Sequence, residues 1–268
     1  MRINKYQSQI QIPQQSKMQM EPHLESQNEI FADNHSLFVE VLPITMEPVR
    51  DRDGQIVEGL FEQQGGYTVY KLFLGEFSET GNGVQRIIAR LQTAEKGDIL
   101  ELHISSRGGV IDELIEIYNL CDTLFYGNVT TYCNHGYSAG AMAFLFGEDR
   151  CIYEHTDWMT HSWSGGFGGK RDDVLTHMVH EDKRLGDFFD TLMKPYFSKK
   201  EIAQMQKGKD FWMTPKELLQ RGIATHLLVN GEIIPRDIYL EQNNLEDLKI
   251  EPKKKTKKKT KEKSKDKK

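Results

Sequence analysis

Between residues 67 and 161 the apolar positions switch repeatedly between the two-residue period of a strand and the three-to-four-residue period of a helix. The first helical stripe follows a strand-like run and consists of Val84, Ile87, Ile88 and Leu91. The predicted strands cover 67–75, 98–105, 128–133 and 150–153, and the predicted helices cover 83–93, 111–125 and 139–146. Strands that alternate with helices favour right-handed crossovers and a mostly parallel sheet, so we expect an α/β domain over residues 67–235.

A long helix is predicted over residues 172–196, after a glycine-rich loop at 162–169. Its apolar side chains recur at helical spacing and are Val174, Met178, Leu185, Phe188, Phe189 and Leu192. Such a helix has too much apolar surface for an isolated arm, so we expect it to pack on another subunit or partner. Two shorter helices follow, one opened by the capping-box residues Ser198 and Glu201, the other by Thr214 and Pro215.

The segments outside this domain differ from it in composition. Residues 1–35 are rich in Gln, Ser, Met and Asn without a sustained period, and we expect a disordered leader. Residues 36–66 contain strand-like runs at 38–42 and 56–57 with a turn signal at 51–54, which predicts a small hairpin in an N-terminal extension. Residues 236–268 are expected to form a disordered, lysine-rich tail.

The charge is strongly asymmetric along the 268 residues. Residues 253–268 hold eleven lysines and two acidic residues, which gives this segment a charge of +9. Because the net charge of the whole chain is −5, the remaining residues carry −14. Such a tail attracts nucleic acid or acidic surfaces, or serves only as a solvated, solubilising segment. Composition leaves these alternatives open.

Composition also bears on the environment of the protein. No run of about 18 apolar residues and no amino-terminal apolar signal region occur, so we expect no membrane span and a cytoplasmic protein. Cys121, Cys133 and Cys151 lie in apolar contexts without CxxC spacing, which favours reduced, buried thiols over a disulfide or zinc site. A cysteine nucleophile is the rival interpretation of these residues.

Candidate chemistry centres on Ser138, in the sequence Gly-Tyr-Ser-Ala-Gly between a predicted strand and a predicted apolar helix. Open α/β folds keep their sites at the carboxyl ends of strands, where such a serine would lie. The G-x-S-x-G match is weak by itself, because small residues also cluster where a helix packs tightly on a sheet. Gly108 and Gly109 form a second junction of strand and helix, which is either a plain tight turn or a place where backbone N–H groups hold a carbonyl oxygen or anion.

Four segments in order, from about residue 67 to residue 228, resemble the ClpP-type serine peptidases of the crotonase-like fold. They are HISSRGGV, similar to the family's N-S-P-G-G; GYSAGAMAFL, similar to G-x-A-A-S-M-G-A; DWMTHSWSGG, similar to M-I-H-Q-P with its glycine-rich loop; and KDFWMTPKELLQRGIATHLL, similar to R-D-x-F-x-S-A-x-E-A-x-x-Y-G-L-V-D. The resemblance implies an α/β fold of stacked βαβ units with a protruding handle helix. It makes residues 67–235 a ClpP-like serine peptidase domain.

Carried over residue by residue, the resemblance implies that Ser138 is the nucleophile, His161 the base, and Asp210 the residue that orients the histidine. The backbone N–H groups of Gly109 and Ala139 are the candidates for the oxyanion hole. No metal or cofactor is expected. The rival histidines are His135 and His155, and the rival acids are Asp157, Asp172 and Asp173.

The sequence departs from the family pattern at three places. Arg107 replaces the family's proline, and Ser162 and Trp163 replace Gln-Pro, changes that affect the substrate groove more than the chemistry. An ungapped alignment places Gly140 at the nucleophile position, so assigning Ser138 requires two extra residues in the turn or helix.

The function implied by the resemblance is a serine endopeptidase that cleaves unfolded proteins or peptides inside an oligomeric chamber. The family forms stacked heptameric rings, with ring-to-ring contacts made by the long helix, and receives substrate from an ATP-driven unfoldase partner. No G-x-x-x-x-G-K-[ST] phosphate loop occurs here, so the partner would bind the ATP. The alternatives are an acyl-CoA enzyme of the crotonase fold, and a non-catalytic assembly or nucleic-acid-binding subunit that uses the lysine-rich tail.

Overall fold

A computed structural model describes residues 30–32, 35–42, 44–50, 56–78 and 83–249. The turn at 51–54, most of the predicted leader and the lysine-rich segment 253–268 therefore lie outside the described residues. The predicted disordered tail began at residue 236, but residues 236–242 form a helix whose Leu240 is buried, so that part of the prediction is corrected.

Strands and helices alternate through most of the described chain, in the order that the apolar periods predict. The strands are β1 Ile30–Ala32, β2 His35–Val41, β3 Ile44–Arg50, β4 Ile56–Gly65, β5 Thr68–Leu74, β6 Ile99–Ser106, β7 Val129–Tyr137, β8 Asp149–Thr160, β9 Phe211–Met213, β10 His226–Val229 and β11 Glu232–Pro235. The helices are α1 Gly83–Leu91, α2 Ile111–Leu124, α3 Ala139–Phe144, α4 Arg171–Met193, α5 Lys199–Met205, α6 Pro215–Gln220 and α7 Arg236–Gln242.

The central sheet has the strand order β1-β2-β5-β6-β7-β8-β10-β11, with β9 paired to the far end of β8. Strands β5, β6, β7, β8 and β10 run parallel, whereas β1, β2, β9 and β11 pair antiparallel at the margins. Strands β3 and β4 pair only with each other, as a two-stranded antiparallel sheet. This mixed α/β architecture confirms the predicted fold class.

The core lies where the inward side chains of the sheet meet helices α1, α2 and α3. Strand β6 illustrates the alternation: Leu100, Leu102 and Ile104 are buried, whereas Glu101 and His103 point to the other face. Helix α3 is buried along its whole length, which accounts for its lack of polar side chains. Burying one large apolar side chain contributes about 1.5–3 kcal/mol, so this layer fixes where α3 begins.

The predicted helix starts and buried thiols are confirmed. Ser198 and Thr214 each accept from the backbone N–H three residues later, and both capping boxes are complete. All three cysteines are free and buried. Burial raises the pKa of Cys133 and of Cys151 to about 12, which leaves neither thiol available as a nucleophile near neutral pH.

Helix α4 has two halves that differ in exposure, and this corrects the expectation that a partner covers the whole apolar stripe. Leu185, Phe189 and Leu192 are buried in the core of the same chain. Met178 and Val179, by contrast, are 45% and 72% exposed. The C-terminal half returns to its own sheet, and only the N-terminal half leaves apolar side chains uncovered.

No helix among the described residues is both long enough and apolar enough to cross a bilayer.

Candidate functional site

Ser138 occupies the junction between β7 and α3, and its backbone has a conformation that residues other than glycine rarely adopt. Its φ is 55° and its ψ is −120°. Such a conformation costs about 1–3 kcal/mol and persists only where the surroundings impose it. One of these constraints is a hydrogen bond from the Ser138 N–H to the Met159 carbonyl of β8, at 2.9 Å. A sharp turn from strand to helix with a strained serine is the geometry that exposes a nucleophilic hydroxyl.

Two glycines pack against this turn so closely that a side chain would not fit. A Cβ atom on Gly108 would lie 2.8 Å from the Ser138 Cβ, and a Cβ on Gly140 would lie 2.7 Å from the Ser106 carbonyl oxygen. Position 140 therefore has no room for a serine, whichever alignment is chosen.

Gly109 lies opposite Phe77 in a parallel bridge, but the Gly109 N–H does not bond to Phe77. The Phe77 N–H donates to the Gly108 carbonyl at 2.9 Å, and the Val110 N–H donates to the Phe77 carbonyl at 3.1 Å. In a parallel bridge, the residue between the two that make these bonds, here Gly109, directs its own N–H away from the partner residue. A Cβ on Gly109, whose φ is +134°, would lie 1.8 Å from the Phe77 carbonyl oxygen, so only glycine can follow this path.

One pocket of about 380 Å³ brings together four of the five predicted site residues. Ser138, His161, Gly109 and Ala139 all line it. Its other lining residues are mostly apolar or hydroxyl-bearing and include Phe77, Ile111, Met142, Trp163, Ser164 and Leu185. No carboxylate is among the described residues of this lining, so those residues do not supply the acid/base group that the acyl-CoA interpretation requires.

Asp210 does not line the pocket, but the strand pairing carries it towards His161. Strand β9 pairs antiparallel with β8, and Phe211 lies opposite Thr160. Continuing that register by one residue sets Asp210 opposite His161, and Cα atoms of such pairs are typically about 4.5–5.5 Å apart. Asp210 is exposed. Within the described chain no hydrogen bond joins Ser138, His161 and Asp210. Ser138 and His161 share a pocket, and the strand register sets Asp210 opposite His161.

The rival histidines and acids lie elsewhere. Asp157 accepts a hydrogen bond from the Tyr137 hydroxyl at 2.8 Å, and that bond raises the pKa of the tyrosine. Asp172 pairs with its neighbour Arg171 at 2.8 Å. His135 lies beside the Tyr137 ring, with centroids 5.8 Å apart, and neither it nor His155 lines the Ser138 pocket.

Sequence reasoning assigned Trp163 to the substrate groove, and Trp163 does line the pocket, but it did not find the other residues that shape the pocket around Ser138. Met142 could have been found, because it follows Ser138 by four residues and so lies on the same face of α3. Phe77, Trp163 and Leu185 reach the pocket from three separate segments, and no spacing in the sequence links them.

Comparison with known proteins shows which family this chain is similar to. The family model described as Clp protease matches residues 72–231, a segment that contains all five predicted site residues. A curated relative, the ATP-dependent Clp protease proteolytic subunit of Porphyromonas gingivalis, is 27% identical over 166 residues, which are 59% of this chain and 72% of that protein.

Proposed function

This chain belongs to the Clp protease family, a family of peptidases, and we propose that it is a serine endopeptidase acting through Ser138, His161 and Asp210. The observation that carries the proposal is that a serine in a strained strand-to-helix turn shares its pocket with a histidine. A structural serine has no need of that backbone strain.

In the proposed reaction the Ser138 hydroxyl attacks the carbonyl carbon of the scissile peptide bond while His161 takes its proton. The C–N bond then breaks, and His161 returns the proton to the leaving amine. The remaining ester on Ser138 is attacked by water, with His161 again accepting a proton, and the acid is released. Serine and histidine are both restored.

Two backbone amides are proposed to stabilise the oxyanion that develops in each step. The Gly109 N–H is directed away from Phe77, and the Ala139 N–H opens helix α3, where the first amides have no partner within the helix. One such donor is worth about 3 kcal/mol of transition-state stabilisation. The close approach of Gly108 to Ser138 supports this pairing, because it brings the glycine turn beside the nucleophile.

Asp210 is proposed to orient the His161 ring and to stabilise its charged form. The register of β8 and β9 supports this role. The side chain is exposed in the single chain, so we propose that the Asp210–His161 hydrogen bond forms when assembly or substrate brings the two side chains into contact.

The exposed half of α4 supports an oligomeric chamber. Leu175, Met178 and Val179 form an uncovered apolar stripe, and we propose that the same helix of a facing subunit covers it in stacked heptameric rings. The name of the Porphyromonas relative includes "ATP-dependent". We propose that here too a separate ATP-driven partner unfolds protein substrates and delivers them as extended chains.

A fluorophosphonate probe, which reacts only with an activated serine, tests the proposal. We expect stoichiometric labelling of the peptide that contains Ser138, and loss of both labelling and peptide cleavage in Ser138→Ala. Ser164→Ala is the matched control, because Ser164 lines the same pocket without lying on the strained turn. Unchanged peptide cleavage in Ser138→Ala, or labelling that follows Ser164, would overturn the assignment.

A further inference from the structure

A second pocket, of about 190 Å³, lies away from Ser138, between α2, the end of α3 and the end of α4. Its walls are aromatic and its rim carries two carboxylates. The residues that matter here are Tyr118, Phe146, Tyr126, Tyr196, Asp122 and Glu148. We call it the tyrosine pocket.

The tyrosine pocket has negative charge, and Arg150, the cation beside its Tyr196 wall, donates to backbone carbonyls and not to a carboxylate of the pocket. Asp122 is exposed and makes no hydrogen bond or ion pair within the described chain. The Glu148 carboxylate accepts from the backbone N–H groups of Gly127 at 3.0 Å and Val129 at 2.9 Å, which fix its position without neutralising it. No lysine, arginine or histidine is among the described residues that line the pocket. Burial first, and then the charge of Asp122, raise the pKa of the Tyr118 hydroxyl, in agreement with this negative field.

The aromatic rings are arranged so that a cation can contact them. Tyr118 is held edge-on by Phe146 and by Phe188, with centroids 5.2 Å away in each case. Tyr196 already has the Arg150 guanidinium over its ring at 5.4 Å, which shows that this ring accepts a cation. Tyr126 is 80% exposed and has no ring or cation contact among the described residues, so its face is open to a ligand. Aromatic faces beside carboxylates suit an ammonium group on an aliphatic stem, which is the shape of a lysine side chain.

We propose that the tyrosine pocket binds a lysine side chain from the chain's own segment 253–268. The segment supplies eleven lysines, and the rest of the chain is acidic. Binding to this acidic surface would be the function of the segment, in place of nucleic-acid contact.

The described chain comes to an end close to the tyrosine pocket. The stem of Lys249 lies over Gly222, 3.3 Å from where a Cβ would stand. The Gly222 carbonyl accepts from the Arg150 guanidinium at 3.1 Å, and that same guanidinium lies over Tyr196 at the wall of the pocket. Because an extended chain spans about 3.3 Å per residue, the lysines at 253–259 can reach the pocket from residue 249.

The tether makes a weak contact effective. An exposed ion pair contributes about 0–1 kcal/mol and a cation–π contact at an exposed site about 0.5–1 kcal/mol, so a free lysine would bind poorly. A short tether supplies an effective concentration of the order of millimolar, which populates so weak a contact in a minor fraction of the molecules, and covalent coupling can trap that fraction. Salt should weaken the contact, because the Debye length falls to about 3 Å at 1 M ionic strength.

Carbodiimide coupling of the full chain tests the proposal, because it joins a carboxylate to a lysine amine in contact with it as an amide. Chymotrypsin leaves residues 251–268 in one piece, since that stretch has no aromatic residue or leucine, and mass spectrometry then locates the cross-links. We expect Asp122 to couple to lysines of 253–268 at low salt. We also expect a fall of about threefold or more in Tyr126→Ala, which removes an exposed ring without opening the core. Glu241 is the matched control: it is exposed, lies on α7 near the end of the described chain, and its side chain, like that of Asp122, makes no hydrogen bond or ion pair among the described residues.

The same experiment can overturn the proposal in three ways. Equal coupling at Glu241 and Asp122, or coupling at Asp122 that Tyr126→Ala leaves unchanged, would show unspecific charge attraction. Cross-links found only between isotopically light and heavy chains would assign the pocket to a second copy. Capture of a duplex oligonucleotide by the lysine segment, with no Asp122 cross-link in its absence, would make nucleic acid the partner.

Discussion

The sharpest test of the proposed oxyanion hole is Gly109→Ala, because the structure gives the size of the disturbance. The new Cβ would lie 1.8 Å from the Phe77 carbonyl oxygen, whereas optimal contacts are about 3.5 Å, so the turn must move by roughly 1.5 Å. That displacement carries the Gly109 N–H away from the oxyanion. Loss of one such donor lowers kcat by about 10²–10³.

Gly97→Ala separates this effect from backbone strain. Gly97 also has a positive φ, +105°, but no atom lies within 4 Å of its Cβ position. Both variants should lose about 1–2 kcal/mol of unfolding free energy from the forbidden backbone region, Gly109→Ala should lose more because of its clash with Phe77, and only Gly109→Ala should lose activity as well. The measurements are kcat on a short peptide and thermal unfolding of each variant. A folded Gly109→Ala protein with kcat within about twofold of the parent would refute the assigned oxyanion donor.

Two further predictions concern residues whose positions depend on the strand register and on α4. Asp210→Asn should lower kcat by about 10²–10⁴ in a peptide-cleavage assay, whereas Asp157→Asn should not; the opposite ranking would reassign the acid. The double variant Leu175→Asp and Val179→Asp should give a smaller particle in light scattering and lower peptidase activity. Leu185→Asp should instead unfold the chain, because Leu185 is buried in the core of its own subunit whereas Leu175 and Val179 are exposed. A double variant that keeps both its particle size and its activity would show that the exposed stripe is not a subunit contact.

The period of apolar residues was sufficient to predict the strands and helices around the site, but not all of their ends. Strand β8 was predicted only over 150–153, yet it runs from Asp149 to Thr160. The pairing of β7 with β8 shifts register between Cys133 and His135, and the Thr156 hydroxyl there donates to the Cys133 carbonyl at 2.6 Å. That hydroxyl also accepts from the Tyr153 N–H at 2.8 Å. A side chain thus replaces a ladder partner, and a polar interruption of this kind has no periodic signature.

The positions of the candidate site residues were harder to predict than their identities. Ser138 and His161 could be selected by residue type and motif order, but their common pocket depends on β7 and β8 being neighbours in the sheet. The approach of Asp210 to His161 rests on three paired residues of β9, whose register no local pattern determines. The difference in exposure between the two halves of α4 also depends on tertiary structure. The apolar spacing of the helix is continuous, so only the position of the folded sheet decides which half is covered.

The two interpretations of the Gly-Tyr-Ser-Ala-Gly motif, a tight-packing device and the proposed nucleophile turn, concern different residues of one structure and are compatible with each other. Gly140 is small because the Ser106 carbonyl lies where its side chain would be, which is the packing explanation. That close contact holds the start of α3 against the end of β6, and Gly108, two residues beyond Ser106, then reaches Ser138. The surroundings that impose the positive φ of Ser138 therefore include these glycines, together with the hydrogen bond to Met159. Tight packing is the physical means by which the chain keeps a serine in a conformation it would otherwise leave.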